Sequence, residues 1–515
     1  MRFVLFGILS IAMALGACSQ SVSSTEDDDP ASLNGPKKNK VSSSSRINEK
    51  SSSSRSTDKS DEEDCSGESG EPWDGTTAKD FACGTGTKLS PYIILTAEQL
   101  ARLSFLVNAS EKAYSGKYFK LGADILLNKG KVIDSKGALV ADSTKLHKWT
   151  PIGNSSVSFD GNFDGDGHTI SGMFINTTST HNGLFGNSQG TVQNLTVDNS
   201  WVYGGKYTAG VVGYNRGTVK KISNYASVTS LNGPVGGIVG GSEDSYGNVN
   251  ILDNLSNWGV IKGKTDVGGV LGFVDRIKLS HSENYGLVEG EKYTGGIWGG
   301  AQSTTIDVSY LVNYGKIIGK INTGGIAGYC GHHGLGSKYS SKCGTLKNLR
   351  NEGSVQGETY VGGISGSFGG KASSISNTAS IIGTNYVGGL FGNADFSTTN
   401  LIYNTGKISG SQNVGGIVGY NQEGVTNSAY STGKVDGDSL VGLMIGYNYN
   451  TTMADYYYLE RGKQEPFGLN NGGGVATSKT EDEMKSKDFA KLLGDEFVYD
   501  SGLNDGYPVL SWEKE

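Results

Sequence analysis

The chain has 515 residues, a net charge of -7 and an apolar content of 36%, with 80 glycines against 8 prolines. That is about twice the usual share of glycine, without the Gly-X-Y period of collagen. The acidic balance offers no basic footprint for nucleic acid, and beyond the N-terminus no apolar run reaches the roughly 18 residues of a membrane span.

In chain order, Arg2 precedes a short apolar run from Phe3 to Leu15, the pattern of a signal-peptide core. The run closes on Leu15-Gly16-Ala17-Cys18, which resembles the lipobox of bacterial lipoproteins. The resemblance implies a signal peptide over residues 1–18, lipidation at Cys18, and a membrane partner reached through that anchor. Ser19, in place of a retention aspartate, points to the outer membrane, with the body at the cell surface. An ordinary signal peptide followed by a chance cysteine is the alternative. Residues 19–71 are serine runs and mixed charges without apolar period, the composition of a disordered tether. Apart from Cys18 the chain holds Cys65, Cys83, Cys330 and Cys343, an even number suited to disulfides in an oxidising compartment. Proximity in sequence suggests 65 with 83 and 330 with 343, although four cysteines allow three connectivities.

The folded body begins near Pro72-Trp73, with an N-terminal cap expected over 72–148. Thr96 and Gln99 fit a capping box, and Leu100, Leu103, Leu106 and Val107 follow at helical spacing, which predicts a helix over about Ala97 to Asn108. A strand-like run covers Tyr118 to Leu127. From Trp149 to Asn176 apolar residues alternate between Asp-Gly turns, and this segment reads as the first coil of a repeat body over 149–452.

The repeat is marked by a glycine, an aliphatic residue and a further glycine, from Gly183 to Gly442 at intervals of 26 to 38 residues. Between these anchors lies a second phrase built on Asn224, Asn257, Asn284, Asn313, Asn351, Asn377 and Asn404. An aliphatic residue stands two before most of these asparagines and another four after each. In a strand such spacing places the amide on the inward face with the aliphatics. A lone buried amide is costly, but asparagines stacked coil over coil at about 4.8 Å can bond to one another as a ladder. The aliphatic after each anchor, such as Ile297, would form a parallel apolar ladder. These features predict an all-β fold, a right-handed parallel β-helix or solenoid of about ten or more coils, with three strands per coil and short capping helices at both ends. A propeller needs longer blades. The C-terminal cap is expected over 453–515, where Thr480 and Glu483 form a second capping box. Phe489, Leu492 and Leu493 would supply its apolar face, Gly494 its stop, and the segment from Gly506 a closing strand.

VGGIVGYN at Val414, the opening SFDGNFDGDGHTI and the ending NDGYPVLSW are similar to bacterial surface proteins carrying GLUG-motif repeats, which occur in adhesins and beside immunoglobulin A protease modules. The resemblance spans about Pro72 to Trp512 and implies a surface scaffold more than an activity.

Few residues suggest chemistry. Asp160, Asn162 and Asp164 match the first half of a calcium loop, but Ser171 stands where the bidentate glutamate is needed, so calcium is at most a weak cofactor expectation and no other is indicated. Gly186 to Gly190 fits a nucleophile elbow in letters only. His332 and His333 lack an evident third ligand. Asp266, Asp275 and Asp307 fall at different phases of the repeat and read as turn or surface charges. The residue after each ladder asparagine points outward and is aromatic in four consecutive coils: Tyr225, Trp258, Tyr285 and Tyr314. Such a strip suits a sugar face or a protein partner, or serves to stack on itself for stability. Tyr207, Tyr293, Tyr360 and Tyr386 form a patchier second row. The expectation is therefore a non-catalytic adhesion or binding protein for polysaccharide or surface protein. A β-helix polysaccharide lyase or hydrolase is the alternative.

Overall fold

A computed structural model describes residue 65 and residues 71–110, 114–243, 247–331 and 343–514. The signal region, Cys18, nearly all of the tether and the His332-His333 pair lie outside the described residues.

The repeats wind into a parallel β-solenoid of about 13 turns. Each complete turn contributes one strand to each of four stacked sheets, of 16, 10, 9 and 11 strands, here called sheets I to IV. One coil shows the plan: Thr218–Asn224 in sheet I, Ser227–Ser230 in sheet II, Val235–Gly236 in sheet III and Val239–Ser242 in sheet IV. The expected three strands are thus four, because the anchor phrase is a corner and not a strand. Gly237 and Ile238 turn the chain between sheets III and IV, and their backbone N–H groups bond along the axis to Gly269 and Val270. The anchor aliphatics, Val211, Ile238, Val270, Ile297, Ile326, Ile364, Leu390 and Ile417, are fully buried at this corner.

Sheet I carries the asparagine ladder in register, Asn224 against Asn257 and onward to Asn377 against Asn404. All seven amides are fully buried. From Asn224 to Asn377 each Nδ2 donates to the Oδ1 of the next rung at 2.7 to 2.9 Å, and Asn404 ends the ladder. The second Nδ2 hydrogen of each goes to the carbonyl two residues on, as from Asn313 to Gly315 at 2.9 Å. Buried amides without partners would oppose folding; here every rung supplies its neighbour. The ladder also explains the anchor glycines. A β-carbon at Gly296 would stand 2.4 Å from Asn313 Oδ1 and 2.1 Å from the Gly325 carbonyl, and the other anchors from Gly210 to Gly389 meet their asparagine equally closely. The two phrases of the repeat are therefore complementary surfaces of one packing contact.

The strand alternation inferred around the asparagine is interrupted. Three residues before each rung a residue takes left-handed backbone angles, among them Lys221, Asn254, His281 and Tyr310. This bulge lets Val219, Ile222 and Asn224 all face the core at uneven spacing.

Both expected boundaries of the repeat body move outward. Tyr92–Ile94 and Tyr118–Leu121 already pair in parallel in sheet I, ahead of Asn162–Asp164. Helix α1, Ala97–Ala109, is thus an excursion from the first turn; its capping box between Thr96 and Gln99 is formed. Leu100, Leu103 and Val107 of α1 join the solenoid core. At the other end Thr452–Leu459, Phe467–Asn470 and Thr477–Lys479 still add to the sheets, and the last two strands are short, which blunts edge pairing.

The C-terminal segment folds back along the repeat body. After α2, Glu481–Met484, and α3, Lys487–Leu493, the chain lies against the outer face of sheet I. There Tyr403, Tyr430 and Tyr457 pack with Met484, Phe489, Leu493, Phe497 and Leu510 in a second apolar cluster. Leu492, expected in that apolar face, is exposed. The expected closing strand is a two-residue pairing of Phe497–Val498 with Val509–Leu510. Disulfides join Cys65 to Cys83 and Cys330 to Cys343.

Candidate functional site

The four stripe residues stand at the corner between sheets I and II, outside the strands themselves. Tyr225, Trp258 and Tyr314 are 39%, 44% and 39% exposed. Their rings stack on one another: Tyr225 to Trp258 at 5.8 Å, Trp258 to Tyr285 at 3.8 Å and Tyr285 to Tyr314 at 4.8 Å, all within 13° of parallel. One strand spacing per coil, about 4.8 Å, lies close to the centroid separation of a stacked aromatic pair, so the register of sheet I drives the stack. The faces therefore cover each other, and what meets solvent is a row of ring edges and hydroxyls. This changes the flat strip expected from sequence, since a sugar ring can lie on an open face only at the ends of the stack. Tyr285 donates to Glu283 at 2.8 Å, and burial together with that carboxylate pushes its hydroxyl pKa up.

The same corner position continues as Glu352, Thr378, Thr405 and Thr432. Glu352 is ion-paired to Arg350. The three threonines then floor a cleft of about 590 Å³, walled by the C-terminal segment with Arg461, Lys485 and the Gly502–Asp505 turn. Thr405 donates to Asn504 Oδ1 at 3.0 Å, and Asn504 Nδ2 donates to the Tyr430 hydroxyl at 3.2 Å. Asn504 and Asp505 both hold left-handed backbone angles, which their short polar side chains tolerate in a tight turn. At the inner wall Glu513 accepts from Ser376, from Tyr403 at 2.7 Å and from the Leu510 N–H at 3.0 Å, while burial raises its carboxyl pKa. The cleft was missed from sequence because its walls come from residues separated by about a hundred positions. The available signal was the change from aromatic to threonine along the corner row.

The weak calcium candidates are occupied by protein donors. Asp160 accepts from Ser115 at 2.7 Å, and Asp164 from Asn194, Gln193 and the Asp166 N–H at 2.7 to 2.9 Å. Ser188 of the letter-match elbow is buried in Phe185–Ser188, followed by another strand and no helix. Asp266 is not the surface charge expected. Its Oδ1 is buried without a hydrogen-bond partner, and burial pushes its pKa up to about 6. In the second aromatic row Tyr360 stacks on Tyr386 at 4.8 Å, Tyr293 packs on Tyr329, and Tyr207 donates to Glu243 at 2.9 Å.

No protein-family model matches the chain. Halomucin from Haloquadratum walsbyi is 32% identical over 176 residues, which is 33% of this chain and 2% of halomucin. A "Putative Gly-rich membrane protein" from Evansella cellulosilytica is 34% identical over 149 residues, 28% of this chain and 15% of that protein. The chain thus spans only a small part of the length of both relatives. Among solved structures, a "putative immunoglobulin A1 protease" from Bacteroides ovatus aligns over 85% of this chain and 98% of that one, at 16% identity and a TM-score of 0.28.

Proposed function

We propose that this protein is a non-catalytic binding and adhesion protein of the cell surface, anchored in the outer membrane through lipid on Cys18. Its rigid solenoid would hold the corner row of Tyr225, Trp258, Tyr285 and Tyr314 toward a polysaccharide or a surface protein. The observation that carries this reading is the exposed edge of that row: Tyr225, Trp258 and Tyr314 remain exposed despite the stacking, and a line of large aromatics left partly in water is a usual mark of an interaction surface. Ring edges and hydroxyls make it amphipathic, as contact surfaces that stay wet require. The lipobox resemblance, and a Gly-rich relative named as a membrane protein, support surface attachment.

The test is retention of purified protein on insoluble polysaccharides and on whole cells, for wild type and a Trp258→Ala, Tyr285→Ala double variant of checked melting temperature. Reduced retention of the variant supports the reading. Equal retention removes the row as the contact surface, and release of reducing or unsaturated sugar ends favours the β-helix enzyme instead. Detergent-phase partitioning abolished by Cys18→Ser tests the anchor.

A further inference from the structure

We propose that the cleft beneath the C-terminal segment is a saccharide site that seats the end of a neutral glycan lying along the corner row; this rests on the binding role proposed for that row. The volume, about 590 Å³, falls in the range of small-molecule sites and fits a short oligosaccharide.

Charge and polarity select the ligand class. Arg350 is neutralised by Glu352, and Lys485 by Glu481 at 2.6 Å. Glu513 and Asp505 add further negative charge, so the cleft lacks the cationic excess that a phosphate or a polyanion needs. Its lining is mainly polar, so it also lacks the apolar floor that a lipid chain or a greasy peptide anchor needs. Neutral hydroxyl groups, each both donor and acceptor, match what is present: threonine hydroxyls on the floor, and at the rim Arg461, whose Nη2 donates to the Thr432 carbonyl at 2.7 Å. Arg461 makes no ion pair among the described residues, and it lines the cleft.

Continuity supplies the direction. Thr378, Thr405 and Thr432 occupy the same repeat position as Tyr285 and Tyr314, displaced by one strand spacing per coil, about the length of one pyranose unit. A chain following the corner past Tyr314 and Glu352 would run onto the threonine floor and meet the wall of the C-terminal segment.

The repeat itself furnishes the test. Tyrosine occupies this position in three other coils, so Thr378→Tyr suits the local backbone, yet its ring would fill the cleft. The full mature chain is titrated calorimetrically with neutral cello-, xylo-, manno- and malto-oligosaccharides and with oligogalacturonate, for wild type, Thr378→Tyr, Arg461→Gln and Trp258→Ala. The expected result is binding of a neutral series, weakened at least tenfold by Thr378→Tyr at unchanged melting temperature and measurably by Arg461→Gln. Binding of no neutral series, or of one that Thr378→Tyr leaves intact, overturns the inference. Binding of oligogalacturonate alone, lost with salt, overturns the neutral assignment. Loss in Trp258→Ala with Thr378→Tyr intact sinks the cleft and leaves the row; the converse sinks the row and leaves the cleft.

Discussion

Replacing Asn313 by alanine is the sharpest test of what holds the solenoid together. Its amide makes three hydrogen bonds: it accepts from Asn284 at 2.8 Å and donates to Asn351 at 2.8 Å and to the Gly315 carbonyl at 2.9 Å. Alanine leaves one N–H and two oxygens buried without partners, in a region where all the rungs are fully buried. Each such group costs about 1 to 3 kcal/mol, and one trapped water could re-satisfy part of the set. The expected loss is about 3 to 5 kcal/mol. Asn404→Ser should cost less, because the next slot of the ladder already holds Ser431. Urea unfolding followed by circular dichroism and by tryptophan fluorescence reads the change, with both probes needed because repeat arrays can unfold in parts. A loss below about 1 kcal/mol for Asn313→Ala would refute the view that the rungs satisfy one another and would mean that water serves the amides in wild type.

Asp266 predicts a pH dependence. Its folded pKa of about 6 lies above its ordinary 3.8, so the folded state binds the proton more tightly and stability falls as pH rises from about 4 through 6. Asp266→Asn should raise stability at pH 7 by about 1 to 3 kcal/mol and flatten that slope, as urea melts across the window would show. Ending the chain after Gly494 removes Phe497 and Leu510 from Tyr403 and Tyr430, so such a protein should bind a hydrophobic dye and associate, where wild type does not. Thr96→Ala removes the cap of α1 and should cost about 1 kcal/mol in the same urea assay, without altering ligand retention.

The repeat was legible because its signals are local and recur. The glycine-aliphatic-glycine phrase, an asparagine two residues from an aliphatic, and the Thr96 and Thr480 capping boxes each act within a few residues, and stacking in register makes every copy meet its like. The ladder followed from that alone, since a buried amide in a parallel stack has its neighbour's amide as the available partner. The corners were less legible. Four strands instead of three, and the bulge at Lys221 and its equivalents, depend on backbone angles that many residue types can adopt. The stripe was found by position, but not the direction of its rings, which the 3.8 Å approach of Trp258 to Tyr285 decides.

Sequence by itself determined the axis of this protein: which residues repeat, which face inward, and that like stacks on like. Only the tertiary structure decided what lies across that axis. The return of the C-terminal segment over Tyr403 and Tyr430 and the cleft floored by Thr378, Thr405 and Thr432 join residues far apart in the chain, and no local period encodes such contacts. Their physical cause is surface left over after stacking: sheet I bears tyrosines on its outer face in the last coils, and that apolar area is removed from water by the nearest chain able to cover it.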